Sequence, residues 1–298
     1  MRKPAPAWYI LLYHDVSWEE NCYLRSVGGT CAPDVFRQHV KMAASLGDLV
    51  SVADGQRMLE SNSFDRPAFS FWFDDGLIGV CKHAKPVLDE FGVTGAVSIC
   101  SRFVRRSEFF WRFKLSYLHS VDGLRFLRSR LAKHGFSLRD PVSTFTLDSF
   151  SAEILQDIDD LWCRFTTPAQ RQDAYRMFMS REEIRHLFDY GWEIANHTAG
   201  HYPVFQEHSL QLLSAQFQEC EEEIQGICGR PSRYWVVPFD RKNSADGVKV
   251  ADACRGDRHL VYVGNRRNNA HTCSAARVLF RYSTETSAER LAQRLRKA

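Results

Sequence analysis

The stretch that decides the fold is Phe69-Ser70-Phe71-Trp72-Phe73-Asp74-Asp75-Gly76. Its apolar, aromatic first part predicts a strand that is buried on both faces. Two adjacent carboxylates follow, and an unpaired carboxylate is costly to bury. Because successive side chains of a strand point to opposite faces, Asp74 and Asp75 can share one site only if the chain turns there. Gly76 permits such a turn; the alternative is an ordinary acidic turn in solvent.

The segments around this strand predict an α/β fold with a parallel sheet. Residues 80–91 predict a helix that ends at Gly92, and residues 93–99 predict a second buried strand, so strand, helix and strand follow in close order. Pro33–Leu46 has helical spacing of its apolar residues. Further strands are predicted at Trp8–Tyr13 and at residues 192–195, 234–237, 259–263 and 277–282.

Residues 101–179 interrupt the alternation of strands and helices. Their apolar residues recur at helical spacing, and Thr167-Pro168-Ala169-Gln170 combines an N-cap, an early proline and a glutamine at the third helical position. Ser180-Arg181-Glu182-Glu183 is a capping box that opens the next helix. The aromatic residues 109–113 of this helical insertion are more typical of a core than of a ligand-binding box.

Charge and cysteine content limit the classes of partner and compartment. The 298-residue chain has a net charge of +3, which does not indicate a nucleic-acid partner. Residues 229–298 hold 15 Lys and Arg against 6 Asp and Glu, an excess that can serve an anionic substrate or a membrane surface but is more typical of a plain solvated face. Nine cysteines without a Cys-x-x-Cys spacing indicate a reducing compartment. No apolar run approaches the ~20 residues of a membrane span, so we expect a cytoplasmic protein with at most peripheral membrane contact.

Four predicted strands end in polar or aromatic groups that can form one site. They are His14-Asp15, Asp74-Asp75, His197 with His201, and Pro238-Phe239. Active sites of parallel α/β folds gather at the carboxyl ends of the strands.

The spacing of His197 and His201 allows two imidazoles to converge on one ion; the alternative is a solvated loop. With a carboxylate from Asp74 or Asp75, they form a set that suits a catalytic divalent metal. Such a metal lowers the pKa of bound water from about 15.7 to about 7, and the other carboxylate can act as general base. The residues therefore predict metal-assisted hydrolysis of an amide or an ester.

These segments resemble the polysaccharide deacetylases of carbohydrate esterase family 4. Residues 69–76 (FSFWFDDG) resemble the family's first motif, TFDDG. Residues 191–201 (GWEIANHTAGH) resemble its second, and residues 234–239 (YWVVPF) resemble its third, which ends in proline and an aromatic residue. The resemblance implies a distorted (β/α) barrel with fewer than eight strands. It also implies a single catalytic domain over residues 1–298, with residues 101–179 inserted in it.

The resemblance also implies roles for individual residues. Asp74 would be the general base, and Asp75, His197 and His201 would bind the metal, expected to be zinc, with cobalt, nickel or manganese as alternatives. Pro238, Phe239 and Tyr13 would contact the substrate. The implied reaction removes an N-acetyl group from an acetamido sugar such as N-acetylglucosamine and releases acetate.

Two departures from the family pattern bear on the mechanism. In the family's third motif, an arginine that orients the base usually stands two residues before the proline. Val236 occupies that position here, and Arg233 is not a straightforward substitute. The family's last motif, Leu-x-x-His, is absent near the C-terminus. Leu11-Leu12-Tyr13-His14 fits it at the N-terminus, similar to the permuted order of the poly-N-acetylglucosamine deacetylases, so we expect His14 to be the general acid. The alternative is a capping or core histidine.

The expected partner is an acetylated saccharide, with a phosphate- or lipid-linked form suggested by the basic C-terminal quarter. Two alternatives stay open at this point. The same site can hydrolyse another amide or an O-acetyl ester, or the chain can be a glycan-binding module whose catalytic site is degraded.

Overall fold

The computed structural model describes residues 4–18, 21–133, 152–202, 210–239, 255–262, 268–270, 277–284 and 287–296. The strands in these residues are β1 (Trp8–Tyr13), β2 (Asp15–Val16), β3 (Thr30–Cys31), β4 (Asp48–Leu49), β5 (Ala68–Phe73), β6 (Ala96–Ile99), β7 (Glu193–Asn196), β8 (Tyr234–Val236), β9 (His259–Tyr262) and β10 (Val278–Ser283). The helices are α1 (Pro33–Leu46), α2 (Val52–Ser61), α3 (Lys85–Glu90), α4 (Ser101–Val104), α5 (Trp111–Ser120), α6 (Leu124–Lys133), α7 (Ala152–Phe165), α8 (Pro168–Ala174), α9 (Arg181–Asp189), α10 (Leu210–Cys228) and α11 (Ala288–Leu295).

Seven of these strands form a closed parallel barrel. Their order is β1-β10-β9-β8-β7-β6-β5, and β5 pairs back onto β1 over six residues, from Trp8 opposite Ala68 to Tyr13 opposite Phe73. The short strand β4 pairs with β5 outside this ring, and β2 pairs with β3 in a separate sheet. The predicted distorted (β/α) barrel with fewer than eight strands is confirmed.

The alternation of side chains divides the apolar residues between two layers. Trp8, Ile10 and Trp72 belong to the cluster that fills the barrel interior, whereas Tyr9 and Leu11 pack in the layer between the strands and the surrounding helices. Since both layers are apolar, the strands are buried on both faces, as the uninterrupted apolar runs in the sequence predict. The barrel therefore presents polar side chains mainly where its strands end.

The local predictions agree with the structure except around residues 80–91 and at the strand predicted for residues 93–99, which forms only at Ala96–Ile99. Strands β1 and β5 and helix α1 have the predicted bounds, and both predicted capping boxes are formed. The helix predicted for residues 80–91 begins instead with a π-helical turn, Val80–Ala84, before α3. Pro86 has no amide hydrogen and crowds the carbonyl four residues earlier, which explains why the hydrogen-bond register changes there. The short strands β2 to β4 and helix α2 were not predicted.

The helices α4 to α8 pack around a second apolar core. Phe109, Trp111 and Phe113 are each 1% exposed in it, so the prediction that these aromatic residues form a core is confirmed. The cysteines among the described residues are free. No described helix has the length and apolar character needed to cross a membrane.

Candidate active site

The carboxyl ends of the barrel strands bring the predicted polar groups to one cavity of about 290 Å³. Tyr13 and Phe73 are paired in register, and the Asp74 amide donates a hydrogen bond to the Tyr13 carbonyl at 3.0 Å. His14 and Asp74 therefore leave neighbouring strands side by side. The predicted residues that line the cavity are His14, Asp74, Asp75, His197, His201 and Phe239.

Three buried side chains place one potential ligand atom each at the same point of this cavity. The Oδ1 atom of Asp75 lies 3.4 Å from Nε2 of His201 and 3.6 Å from Nε2 of His197, and the two Nε2 atoms are 3.0 Å apart. Among the described residues, Asp75 Oδ1 has no hydrogen-bond partner although it is buried. A buried carboxylate oxygen without a donor, facing two imidazole nitrogens, fits a divalent cation.

The imidazole of His197 is held in the tautomer that a metal ligand requires. Its Nδ1 lies 2.9 Å from the carbonyl oxygen of Val236, so Nδ1–H donates to this oxygen and Nε2 keeps its lone pair. Burial lowers the pKa of His201 well below its usual value, and the neighbouring His197 lowers it further. His201 is thus suited to the neutral form that binds metals.

The backbone around these ligands adopts a conformation that residues other than glycine rarely have. Asp75, Thr198, His201 and Phe239 have φ angles of 71°, 68°, 53° and 52°. Side-chain hydrogen bonds hold the loop: Asn196 Oδ1 accepts from the Thr198 amide at 3.0 Å, and Thr198 Oγ1 accepts from the His201 amide at 3.1 Å. Residues other than glycine that adopt the left-handed backbone conformation cost conformational energy, and they cluster at functional sites. The turn that lets Asp74 and Asp75 share a site therefore includes Asp75 as well as the predicted Gly76, whose φ is 69°.

One oxygen of the Asp74 carboxylate is fixed by two buried donors. The Nη1 atom of Arg281 donates to Oδ1 of Asp74 at 2.6 Å, and Ser98 Oγ donates to the same oxygen. The other oxygen, Oδ2, lies 3.7 Å from His197 Nε2, so it points toward the three ligand atoms. Burial raises the pKa of Asp74, but the Arg281 charge and, to a lesser extent, His197 outweigh it, so the pKa lies below its usual value.

Arg281 was missed by the sequence analysis. It lies on β10, is 1% exposed, and stacks over the Trp72 ring with its guanidinium carbon 5.5 Å from the centroid. Val236, at the usual position of the orienting arginine, contributes only its carbonyl, and Arg233 pairs instead with Glu193 at 2.5 Å. The available signal was an arginine inside a largely apolar strand, two residues after the interior residue Leu279 and therefore on the same inner face.

The family model described as polysaccharide deacetylase matches residues 61–253 of this chain. The chain belongs to this family. Membership indicates an enzyme of the deacetylase type. The match does not include residues 8–15, so the N-terminal Leu-x-x-His order stays a prediction. No curated protein sequence matches the chain.

Solved structures of deacetylases have the same fold over nearly the whole chain. A Streptococcus pyogenes deacetylase, PplD, solved in complex with acetate, has a TM-score of 0.62 at 14% identity and covers 98% of this chain and 99% of its own. IcaB from Ammonifex degensii has a TM-score of 0.61 at 13% identity, covering 99% and 100%. A de-N-acetylase from Aggregatibacter actinomycetemcomitans has a TM-score of 0.60 at 16% identity, covering 96% and 99%.

The helical segment of this polysaccharide deacetylase supplies one wall of the cavity. Phe110, Arg112 and Phe113 line it. The ring of His201 packs between Phe110 and Phe239, with centroid distances of 4.7 and 4.6 Å. The aromatic residues of this segment therefore serve both as a core and as a support for a candidate metal ligand.

Two of the predicted substrate-binding residues do not line the cavity. Tyr13 is 2% exposed, packs edge-on against Phe36 with ring centroids 4.9 Å apart, and its hydroxyl lies 3.0 Å from Nδ1 of His39. Its side chain points into the layer between strands and helices, because it alternates with His14. Pro238 is buried, and only its neighbours Val237 and Phe239 line the cavity. We therefore retain Phe239 alone as a candidate substrate contact from this set.

Proposed function

We propose that the protein is a metal-dependent N-deacetylase that removes the acetyl group from an acetamido sugar in an oligo- or polysaccharide. The observation that carries this proposal is the buried triad of Asp75, His197 and His201 next to Asp74, whose Oδ1 is held by Arg281. This arrangement stands at the strand ends of a barrel from the polysaccharide deacetylase family.

Asp75, His197 and His201 would hold the cation. Two neutral imidazoles and a carboxylate, with room for water and substrate, favour zinc, although cobalt, nickel and manganese accept the same donors. When bound, such an ion supplies Lewis-acid chemistry, namely polarisation of the substrate carbonyl and a lowered pKa of the attacking water. The Val236 carbonyl orients His197, and the aromatic rings of Phe110 and Phe239 restrict His201.

Asp74 is proposed as the general base. Its Oδ1 is occupied by Arg281 and Ser98, which leaves Oδ2 to take the proton of the attacking water. Because its pKa lies below the usual value, the carboxylate is ionised at neutral pH. The fixed Oδ1 keeps Oδ2 aimed at the place where the water must stand, which is the positional requirement for general base catalysis.

His14 is proposed as the general acid. It lines the cavity, and its charge contributes to lowering the pKa of both Asp74 and Asp75, which places it within electrostatic range of the two. An amine leaves an amide only when it is protonated, and an imidazole can give that proton near neutral pH. Acetate and a free amino sugar result.

Arg281 removes the main argument for a degraded glycan-binding module. The absence of the family's arginine at Val236 would favour such a module, but Arg281 provides a guanidinium to Asp74 from another strand. We further propose that residues 101–179 are an insertion within one catalytic domain of residues 1–298. A cytoplasmic site of action remains a prediction. An anionic, phosphate-linked substrate also remains a prediction, because much of the basic region 229–298 lies outside the described residues.

The test is acetate release by the purified protein loaded with Zn²⁺ or Co²⁺ and incubated with N-acetylglucosamine oligomers. Asp74→Asn should lower kcat at least 100-fold, the scale of general base catalysis, while Asp65→Asn, at an exposed aspartate, should leave it unchanged. An O-acetylated sugar and a non-sugar acetamide serve as competing substrates. Acetate release that persists in Asp74→Asn or after chelation would refute the mechanism, and turnover of only the non-sugar amide would refute the substrate class.

A further inference from the structure

The ligand loop, residues 196–201, carries both candidate histidine ligands and is tied to helix α10 by the side chain of Asn196. Asn196 is the last residue of β7 and is fully buried. Its Nδ2 atom donates to the backbone carbonyl of Phe217 and to Oε2 of Glu221, each at 2.9 Å, and both acceptors belong to α10. Because its Oδ1 atom accepts from the Thr198 amide, this one side chain connects the helix with the start of the loop.

The acceptors on α10 decide which way the Asn196 amide points. If the amide were turned by 180°, its oxygen would face the Glu221 carboxylate and the Phe217 carbonyl, and its NH₂ group would face the Thr198 amide. Two acceptors would then meet on one side and two donors on the other. The negative charge of Glu221 therefore gives Asn196 a single orientation, the one in which Oδ1 holds Thr198.

Glu221 is a buried carboxylate that accepts from three described side chains on three neighbouring segments. Besides Asn196, the Nε1 atom of Trp235 donates to Oε2 at 3.2 Å, and Nη2 and Nε of Arg258 donate to Oε1 at 3.2 and 3.3 Å. A glutamine here would turn its NH₂ group toward one of these donors. Since a buried ion pair often stabilises a fold no better than apolar residues of the same volume, stability alone is a weak reason for this carboxylate.

The backbone of the ligand loop keeps its conformation through such contacts. Thr198 and His201 both have left-handed φ angles, and Thr198 Oγ1 accepts from the His201 amide at 3.1 Å. Gln216, also on α10, accepts the Gly200 amide on its Oε1 at 2.9 Å, so the helix holds the loop near both ends. Residues in a left-handed conformation persist only where the surrounding structure fixes them. Loss of a contact from α10 therefore lets the two imidazoles move apart.

We propose that Glu221 is a positioning residue of the metal centre, which acts through Asn196 to hold the ligand loop in the conformation that turns both imidazoles toward Asp75. Glu221 does not line the active-site cavity, so its effect on the metal passes through the loop. The inference rests on the proposed function, which it deepens by assigning part of the metal affinity to a helix residue that touches neither the ion nor the substrate.

The experiment measures Zn²⁺ affinity by competition with a chromogenic chelator, the visible absorption spectrum of the Co²⁺-loaded protein, and urea unfolding of the metal-free protein. The variant is Glu221→Gln, and its matched control is Glu193→Gln at the opposite end of β7. Both side chains are 7% exposed and pair with an arginine, Glu193 with Arg233 at 2.5 Å. Glu222→Gln makes the same change at an exposed position of α10.

Glu221→Gln should bind Zn²⁺ about tenfold more weakly, and its Co²⁺ spectrum should differ from that of the wild type, because groups that orient metal ligands set the affinity and geometry of the site. Glu193→Gln should lose a comparable resistance to urea but keep Zn²⁺ affinity within twofold of wild type and an unchanged Co²⁺ spectrum. Glu222→Gln should alter none of the three measurements.

Wild-type Zn²⁺ affinity in Glu221→Gln, or an equal loss in Glu193→Gln, overturns the positioning role. If Glu221→Gln does not fold, Glu221→Asp takes its place, since it keeps the charge for Arg258 but is one methylene too short to reach Asn196; wild-type affinity in that variant overturns the inference. A wild-type protein that binds metal but releases no acetate overturns the proposed function alone, and the affinities still decide the role of Glu221. A wild-type protein that binds neither Zn²⁺ nor Co²⁺ overturns both.

Discussion

Replacing Arg281 with glutamine tests how the base is held. In the native protein the Arg281 guanidinium and Asp74 Oδ1 are 2.6 Å apart, and the two side chains are 1% and 4% exposed. Glutamine keeps part of the side-chain volume and can still donate to Oδ1, but it removes the charge. Asp74 is then a buried carboxylate left with weaker donors.

The size of the effect follows from the energy of the lost interaction. A hydrogen bond to a charged group contributes about 1.5–3 kcal/mol, and each 1.36 kcal/mol of activation free energy changes a rate about tenfold. We therefore expect kcat to fall about 10- to 150-fold in Arg281→Gln, with KM changed by less than about threefold, since Arg281 acts through Asp74. Arg281→Lys, which keeps a positive charge, should lose less. The free energy of unfolding should fall by about 3–5 kcal/mol, as for other buried pairs that lose one partner.

A double-mutant cycle with Asp74→Asn separates this positioning role from a general loss of fold. The assays are steady-state acetate release and urea unfolding of the four proteins. If Arg281 works through Asp74, the double variant Asp74→Asn/Arg281→Gln is no slower than Asp74→Asn alone, and its stability loss is smaller than the sum of the single losses. Wild-type kcat in Arg281→Gln, or losses that add in the double variant, would refute this reasoning.

Three further results are expected. His201→Gln should lower the bound Zn²⁺ from about one ion per chain to a small fraction of that in elemental analysis, because the triad loses a neutral imidazole; near-full zinc content would exclude His201 as a ligand. His14→Gln should slow acetate release from an acetamido sugar at least 100-fold but slow hydrolysis of 4-nitrophenyl acetate much less, since nitrophenolate leaves without a proton; equal losses would argue against an acid role. Burial raises the pKa of the Asp15 carboxyl to about 6, which means that the folded state loses stability as pH rises from about 4 to 6, by about 3 kcal/mol in all. Asp15→Asn should recover that stability at pH 7 but not at pH 4 in urea unfolding, whereas the exposed Asp65→Asn should change neither; a gain of equal size at both pH values would contradict the burial of a charge.

The sequence by itself predicted the main barrel strands and helices and the candidate ligand set. Strands β1 and β5 and helix α1 follow from local apolar patterns, and the capping boxes at Thr167 and Ser180 follow from hydrogen bonds within four residues. The Asp-Asp pair and the two histidines four residues apart likewise carry their chemistry in short spacings. Such features can be predicted because neighbours in the chain are enough to specify them.

Only the tertiary structure decided how Asp74 is held and which groups share its cavity. Arg281 is 207 residues from Asp74 along the chain, and the two meet because β1 closes the barrel between β10 and β5. The side chains of Tyr13 and His14 point to opposite sides of the same strand end, so the barrel's inner and outer faces assign them to core and cavity. These relations depend on strand order and closure, which no local pattern specifies, and they make Asp74 a fixed carboxylate rather than one that lacks its arginine.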